Sequence, residues 1–230
     1  QAEQRRREFT ANVSHELKTP LQSISGYSEL LMRGMAKQED IQPFAQRIYG
    51  ETQRLIQLVE DIINLSQLDE GSGYTWQQVN LYAIAEDVTG SLEHFAAEKQ
   101  VRLILDGSNA EMQAVPELLR GIVYNLTDNA IKYNHPGGSV TVAVTPGAAE
   151  TVLTVSDTGI GIPAEDQDRI FERFYRVDKS RSKEVGGTGL GLSIVKHAAL
   201  LLGASIDVTS QLGTGTSIQV HFPNIRANAQ

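Results

Sequence analysis

Several groups of residues in this chain could do chemistry. The first is His15, within FTANVSHELKTPLQSISGYSELL at 9–31. On a helix at about 100° per residue, Phe9, Val13, Leu17, Ile24 and Leu31 share an apolar face, and His15 points to the opposite side. Imidazole titrates near neutral pH, so an exposed ring offers an unprotonated nitrogen as a nucleophile. Glu16 is adjacent, able to orient the ring and take its proton. Thr19 projects from the same side one turn on. Its hydroxyl could hold a water, or instead bond back to the His15 carbonyl. Pro20 removes a backbone donor and is expected to bend the helix just beyond His15. A lone surface histidine is usually a solvated bystander, so its meaning depends on the rest of the chain.

The second group is Asn125, Asn129 and Lys132, spaced to line one helix face, with Leu119, Ile122 and Leu126 beside them as core. Asparagines are mediocre helix formers. Aligned with a lysine they suit amide oxygens on a hard cation and an ammonium on phosphate, although a solvated polar face reads the same way. The third is Asp157 in DTGIGIP, 157–163. Asp157 shares a strand face with Leu153 and Val155, so its carboxylate is expected to be at least half buried and in need of donors. An acceptor there selects the exocyclic amine of adenine over the carbonyl of guanine. Gly159 and Gly161 permit tight turns and close backbone approach; an ordinary Asp-Gly turn is the plainer alternative. The fourth is GGTGLGLS, 186–193, a glycine run opening a helix whose free N–H groups can hold phosphate. Between the glycine motifs, 164–185 carries Arg169, Arg173, Arg176, Lys179, Arg181 and Lys183 among Phe171, Phe174 and Tyr175. That composition suits a lid closing over a triphosphate. GTGT, 213–216, turns into the last strand and brings Thr216 toward the adenine pocket.

The elements that must position these groups follow from periodicity. Residues 1–35 read as one helix, and 43–68 as a second with Leu55, Leu58, Ile62 and Leu65 at alternating spacings of three and four. DEGSG, 69–73, stops it and suits a hinge. One hairpin cannot bury both apolar faces, so two chains are expected to form a four-helix bundle through 1–70, in preference to the hairpin packing on its own downstream domain. Residues 74–223 alternate helix and strand: helices at 81–99, 116–133 and 189–202, strands at 101–105, around 140–144, around 153–157, at 204–209 and at 216–222. This predicts an α/β sandwich, a mixed sheet with helices on one face. The expected division is a hairpin at 1–70, a hinge at 71–75, a second domain at 76–223 and a disordered tail at 224–230.

Composition narrows the class. The chain has 230 residues, 40% hydrophobic and 21% charged, which suits one large or two small domains. It has no cysteine, hence no disulfide and no thiolate metal site. A net charge of -8 argues against a nucleic-acid binder. No apolar run approaches the roughly 18 residues of a membrane span. Opening on Gln1, the chain reads as part of something longer, whose other segments would hold any membrane anchor.

SHELKTP, 14–20, resembles the phosphoacceptor box of two-component sensor histidine kinases. NLTDNAIKY, DTGIGIP, IFERFYR, GGTGLGLS and GTGT resemble, in the right order and spacing, the N, G1, F, G2 and G3 boxes of the kinase ATP domain. The resemblance covers about 5–223, with a sub-type similar to the phosphate-response and cell-wall sensor kinases of Gram-positive bacteria. It implies a Bergerat ATP fold, a dimeric helical bundle, Mg-ATP and a response-regulator receiver domain as partner. By motif match, His15 would accept the phosphoryl group, and the H-E-x-x-T pattern would give Thr19 a part in dephosphorylating the regulator. Asn129 would hold Mg²⁺ with Asn125 nearby. Lys132, Tyr133 and Arg176 would touch phosphate or ribose, and Asp157 adenine. Gly159, Gly161, Phe174, Gly187, Gly189, Leu190, Gly191 and Thr216 would complete the nucleotide site. The related gyrase-type hydrolases carry a glutamate four residues before the metal asparagine. Here that position is Asn125, and an amide cannot act as general base, so the γ-phosphate is kept for His15. The implied setting is the cytoplasmic portion of an inner- or plasma-membrane sensor. The competing classes are an ATP-hydrolysing conformational clamp and a dimeric module that only reports nucleotide level.

Overall fold

A computed structural model describes residues 2–71, 73–177 and 187–224. Helix α1 (Ala2–Met32) and helix α2 (Ile41–Glu70) form the hairpin, joined through a short 3-10 turn at Gln38–Asp40. Gly71 ends α2 in the left-handed region at φ 61°, donating its N–H to the Gln67 carbonyl. The helix α1 continues through Pro20, which is buried. The Thr19 hydroxyl donates to the His15 carbonyl at 3.2 Å, the back-bond that was one of its two expected uses.

The second region begins with β1 (Gln77–Asn80) and α3 (Leu81–Glu98), the latter capped by the Asn80 side chain accepting from the N–H groups of Tyr82 and Ala83. There follow β2 (Arg102–Gly107), β3 (Glu111–Ala114), α4 (Pro116–Lys132), β4 (Ser139–Pro146) and β5 (Glu150–Asp157). Helix α5 (Gly191–Leu201), β6 (Ser205–Gln211) and β7 (Gly215–Pro223) complete it. Five strands form a sheet in the order β2-β4-β5-β7-β6, parallel at β2–β4 and antiparallel elsewhere. Val140, Val142 and Val144 bury against the helices while their neighbours Thr141 and Ala143 face outward, so helices cover one face, as expected. The small antiparallel pair β1–β3 was not expected; each strand is four residues, too short to show a period.

The hairpin is not a detached unit. Leu58, Leu65 and Leu68 of α2 belong to the same buried core as α3, α4 and α5. This corrects the expectation that the hairpin avoids its own downstream domain: one apolar face docks there. The other does not, and Ile56, Val59 and Ile63 of α2 stay exposed on this single chain. The expected disordered tail, apart from Asn224, lies outside the described residues, as do Lys179, Arg181, Lys183 and Gly186.

Candidate active site

A cavity of about 580 Å³ opens between α4, the end of β5, the glycine turns and the hairpin. Of the residues singled out above, Asn125, Asn129, Lys132, Tyr133, Asp157, Gly161, Arg176, Gly187, Gly189, Gly191 and Thr216 line it. Gly159, Phe174 and Leu190 stand behind the wall. The Gly159 N–H donates to Asp157 Oδ1 at 2.8 Å. The Phe174 N–H donates to the Gly189 carbonyl, tying the arginine-rich segment to the glycine run. Leu190 is fully buried core.

Register places Asp157. It ends β5 opposite Val140 on one side and Thr216 on the other, so β7 supplies a second donor, the Thr216 N–H, to Oδ1 at 3.3 Å. Oδ2 has no hydrogen-bond partner among the described residues. Burial pushes the Asp157 carboxyl up, against the pull of the Gly159 and Thr216 N–H groups. Ile160, Ile162, Leu212 and Ile218 supply apolar walls around it. The turn between needs Gly161: its φ is 70°, and a Cβ there would collide with the Gln211 carbonyl. Ser210, not expected to matter, fastens this turn, accepting from the Ile162 N–H at 2.8 Å and bonding Thr216 Oγ1 at 2.8 Å.

Helix α4 forms the opposite wall. Asn125 Nδ2 donates to the Gly121 carbonyl at 2.8 Å, which turns Oδ1 toward the start of α5; a Cβ on Gly191 would stand 2.7 Å from it. The Asn129 amide lines the cavity with no hydrogen-bond partner among the described residues. Among those residues no three His, Cys, Asp or Glu side chains gather as a metal cage. Amide oxygens beside a cavity of this size fit Mg²⁺, which is usually held by few protein ligands plus substrate oxygens. Lys132 Nζ pairs with Asp128 Oδ2 at 2.6 Å.

His15 and Glu16 lie outside the cavity lining. The His15 side chain is 80% exposed, and its Nδ1 is 3.9 Å from Glu16 Oε1. Glu16 Oε2 meets Arg54 of α2 at 3.5 Å and Arg176 at 3.1 Å. Arg176, assigned above to phosphate or ribose, is thus shared with the hairpin. Phe9 packs on Phe174 with ring centroids 5.8 Å apart, and Arg173 pairs with Asp69 at 2.6 Å.

Two hairpin residues reach the cavity unforeseen: Gln57 and Asp61. Asp61 is buried, accepting from Thr188 Oγ1 at 2.6 Å and from Gln57 Nε2 at 2.9 Å. Burial raises its pKa, opposed by the Thr188 and Gln57 hydrogen bonds and by Lys132. A signal existed: Asp61 falls between Leu58 and Leu65 on the apolar stripe of α2, where a carboxylate has no business without a partner.

Comparison with known proteins agrees with this layout. Residues 5–71 match the His Kinase A (phospho-acceptor) domain, and residues 114–226 the histidine kinase-, DNA gyrase B- and HSP90-like ATPase family. Sensor-like histidine kinase SenX3 of Mycolicibacterium smegmatis is 36% identical over 220 residues, covering 95% of this chain and 57% of SenX3. Sensor histidine kinase WalK of Bacillus subtilis is 37% identical over 227 residues, covering 96% of this chain and 37% of WalK. The chain therefore spans little more than half the length of one such relative and less of the other. Histidine kinase ThkA, solved in complex with response regulator protein TrrA, superposes with a TM-score of 0.76 over 95% of this chain and 61% of that one, at 21% identity, a likeness of fold. Hairpin, ATPase-type domain and motif order together place the chain in the two-component sensor histidine kinase family, of which it carries the catalytic core.

Proposed function

We propose that this chain transfers the γ-phosphoryl group of ATP to His15 and then passes it to an aspartate of a response-regulator receiver domain. The observation that carries the reading is the exposed His15 imidazole beside Glu16, on a helix that docks against an ATPase-type cavity. Glu16 sits on the Nδ1 side of the ring at 3.9 Å, which leaves Nε2 to attack phosphorus and the Nδ1 proton to pass to the carboxylate once the two close to hydrogen-bond distance. The P–O bond to ADP breaks as the N–P bond forms. Asp157 receives the adenine amine through Oδ2, between the apolar walls. Lys132 and Arg176 face the phosphates. Asn129 would hold Mg²⁺ with Asn125 beside it; the ion supplies charge neutralisation on phosphate oxygens. His15 stands outside the cavity, so transfer requires the ATP domain to leave the docked position, exchanging the Arg176–Glu16 pair for contacts with nucleotide.

Partners follow from what one chain leaves open. Exposed Ile56, Val59 and Ile63 suit a second hairpin, giving a four-helix bundle through 1–70. The receiver partner is supported by the family and by the ThkA–TrrA complex. Thr19, one turn from His15, serves dephosphorylation of the regulator; donating to the His15 carbonyl leaves its oxygen free to accept from a water. No described helix is long and apolar enough to cross a membrane. The setting that fits the relatives named as sensors is the cytoplasmic side of a membrane protein.

The test is incubation with γ-labelled ATP and Mg²⁺. Label that stays on the protein, lost in acid and kept in base, is expected for a phosphoramidate. Steady phosphate release with no labelled protein would identify a hydrolase instead.

A further inference from the structure

In the docked arrangement, carboxylates from the hairpin and from α4 occupy the groups a triphosphate needs. Among the described residues, the cations lining the cavity are Lys132 and Arg176. Arg176 is paired with Glu16 at 3.1 Å. Lys132 is paired with Asp128 at 2.6 Å and also feels the charge of Asp61. Thr188, within the glycine run that opens α5, donates its hydroxyl to Asp61 at 2.6 Å while that hydroxyl accepts from the Leu190 N–H at 3.3 Å. Asp61 therefore reaches from the hairpin to the backbone of the phosphate loop and sets a buried negative charge in the wall.

We propose that Asp61 is a specificity-determining residue of the docked site: its carboxylate stands in for phosphate oxygen on Thr188 and disfavours nucleotides in proportion to their phosphate charge. This rests on the reading of the cavity as an ATP site. Docked on the hairpin, the domain prefers ADP to ATP, and entry of the triphosphate works against docking. Two features favour repulsion over support. Both Asp61 oxygens accept from protein donors, and a carboxylate has no hydrogen to offer phosphate. It also adds a second carboxylate to the one ammonium that Lys132 provides. The alternative, that Asp61 props the glycine run in a binding conformation, predicts the opposite sign.

The experiment is calorimetric binding of adenosine, ADP and ATP in one Mg²⁺ buffer to the wild-type chain, Asp61→Asn, Asp61→Ser and the surface control Glu29→Gln. Thermal melts establish that each is folded; the serine variant serves should asparagine pack poorly. Removing the charge is expected to tighten ATP on the order of tenfold, ADP less, and adenosine not at all, with Glu29→Gln like wild type. Equal tightening of all three ligands would mean Asp61 acts through shape, and unchanged or weakened ATP binding would overturn the inference. A wild-type chain that binds no ATP would instead remove the proposed function on which it depends.

Discussion

On α4, Leu119, Ile122 and Leu126 are all buried, and the polar residues beside them face a cavity built from several elements. On α2, the buried Leu58, Leu65 and Leu68 alternate with exposed Ile56, Val59 and Ile63. The ATPase-type domain closes its core with one face of α2, whereas the other face of the hairpin ends with apolar surface still open. Their chemistry differs in the same way. Asp157 is partly buried, with two backbone donors on one oxygen and none on the other among the described residues. His15 is exposed instead, projecting from a helix beside Glu16. A selective binding site needs surroundings that desolvate and orient, whereas a phosphoryl carrier must be reached first by its own ATP domain and then by another protein. The two regions are joined by the polar contacts Glu16–Arg176, Asp61–Thr188 and Asp69–Arg173, which can be exchanged, and by apolar packing of Phe9 on Phe174 and of Leu58, Leu65 and Leu68 on the domain core.

The contrast can be broken first in the core. Ile122→Ala should cost about 2–5 kcal/mol of stability in denaturant melts, since a fully buried side chain leaves a cavity its neighbours cannot fill. Ile63→Ala, on the open face of α2, should instead change single-chain stability by about 0.5 kcal/mol or less while weakening self-association measured by sedimentation. Equal costs at the two positions would mean the exposed stripe is not an interface.

Asp157→Asn sharpens the ligand side. It should weaken ATP by roughly one to two decades in calorimetry, about 1.5–3 kcal/mol, because the adenine amine can lose its charged acceptor. Unchanged affinity would put Asp157 outside the adenine site. The same variant reports on pH. The folded-state pKa of Asp157 lies above its ordinary 3.8, so the carboxyl's contribution to stability is fully present below that value and is lost as pH rises through the folded-state pKa. Without nucleotide, Asp157→Asn should therefore gain on wild type, in thermal melts, as pH climbs from about 4 toward neutrality. A stability difference independent of pH would contradict the raised pKa. The smallest expected effect on the kinase half-reaction is that of Thr19→Ala: autophosphorylation near wild type, with loss of regulator phosphate slowed by about an order of magnitude. If both activities fall together, the back-bond to the His15 carbonyl is shaping the helix and Thr19 has no separate role.

Much of this was legible in the sequence, and the reasons are local. The long 3.6-period stripes gave both hairpin helices, and alternation at Val140, Val142 and Val144 gave a sheet strand and its buried face. Motif spacing brought Asn125, Asn129, Lys132 and Asp157 to one cavity. What escaped depends on tertiary contact. The strands β1 and β3 are too short to carry a period. Ser210 resembles any strand serine until Gly215 and Ile162 are folded against it. The docking of the hairpin could not be read because the same leucine stripe serves a neighbouring domain or a second chain equally well. Asp61 interrupts that stripe, yet only the fold shows Thr188 waiting for it.

In the proposed reaction, nucleophile and nucleotide site lie in separate regions that motion brings together. The direct measurement is on His15→Gln: ATP affinity by calorimetry and label uptake from γ-labelled ATP, on the same preparation. This variant is expected to bind ATP with wild-type affinity and to carry no protein-bound label. Label at the wild-type level, or ATP binding lost together with the label, would contradict it.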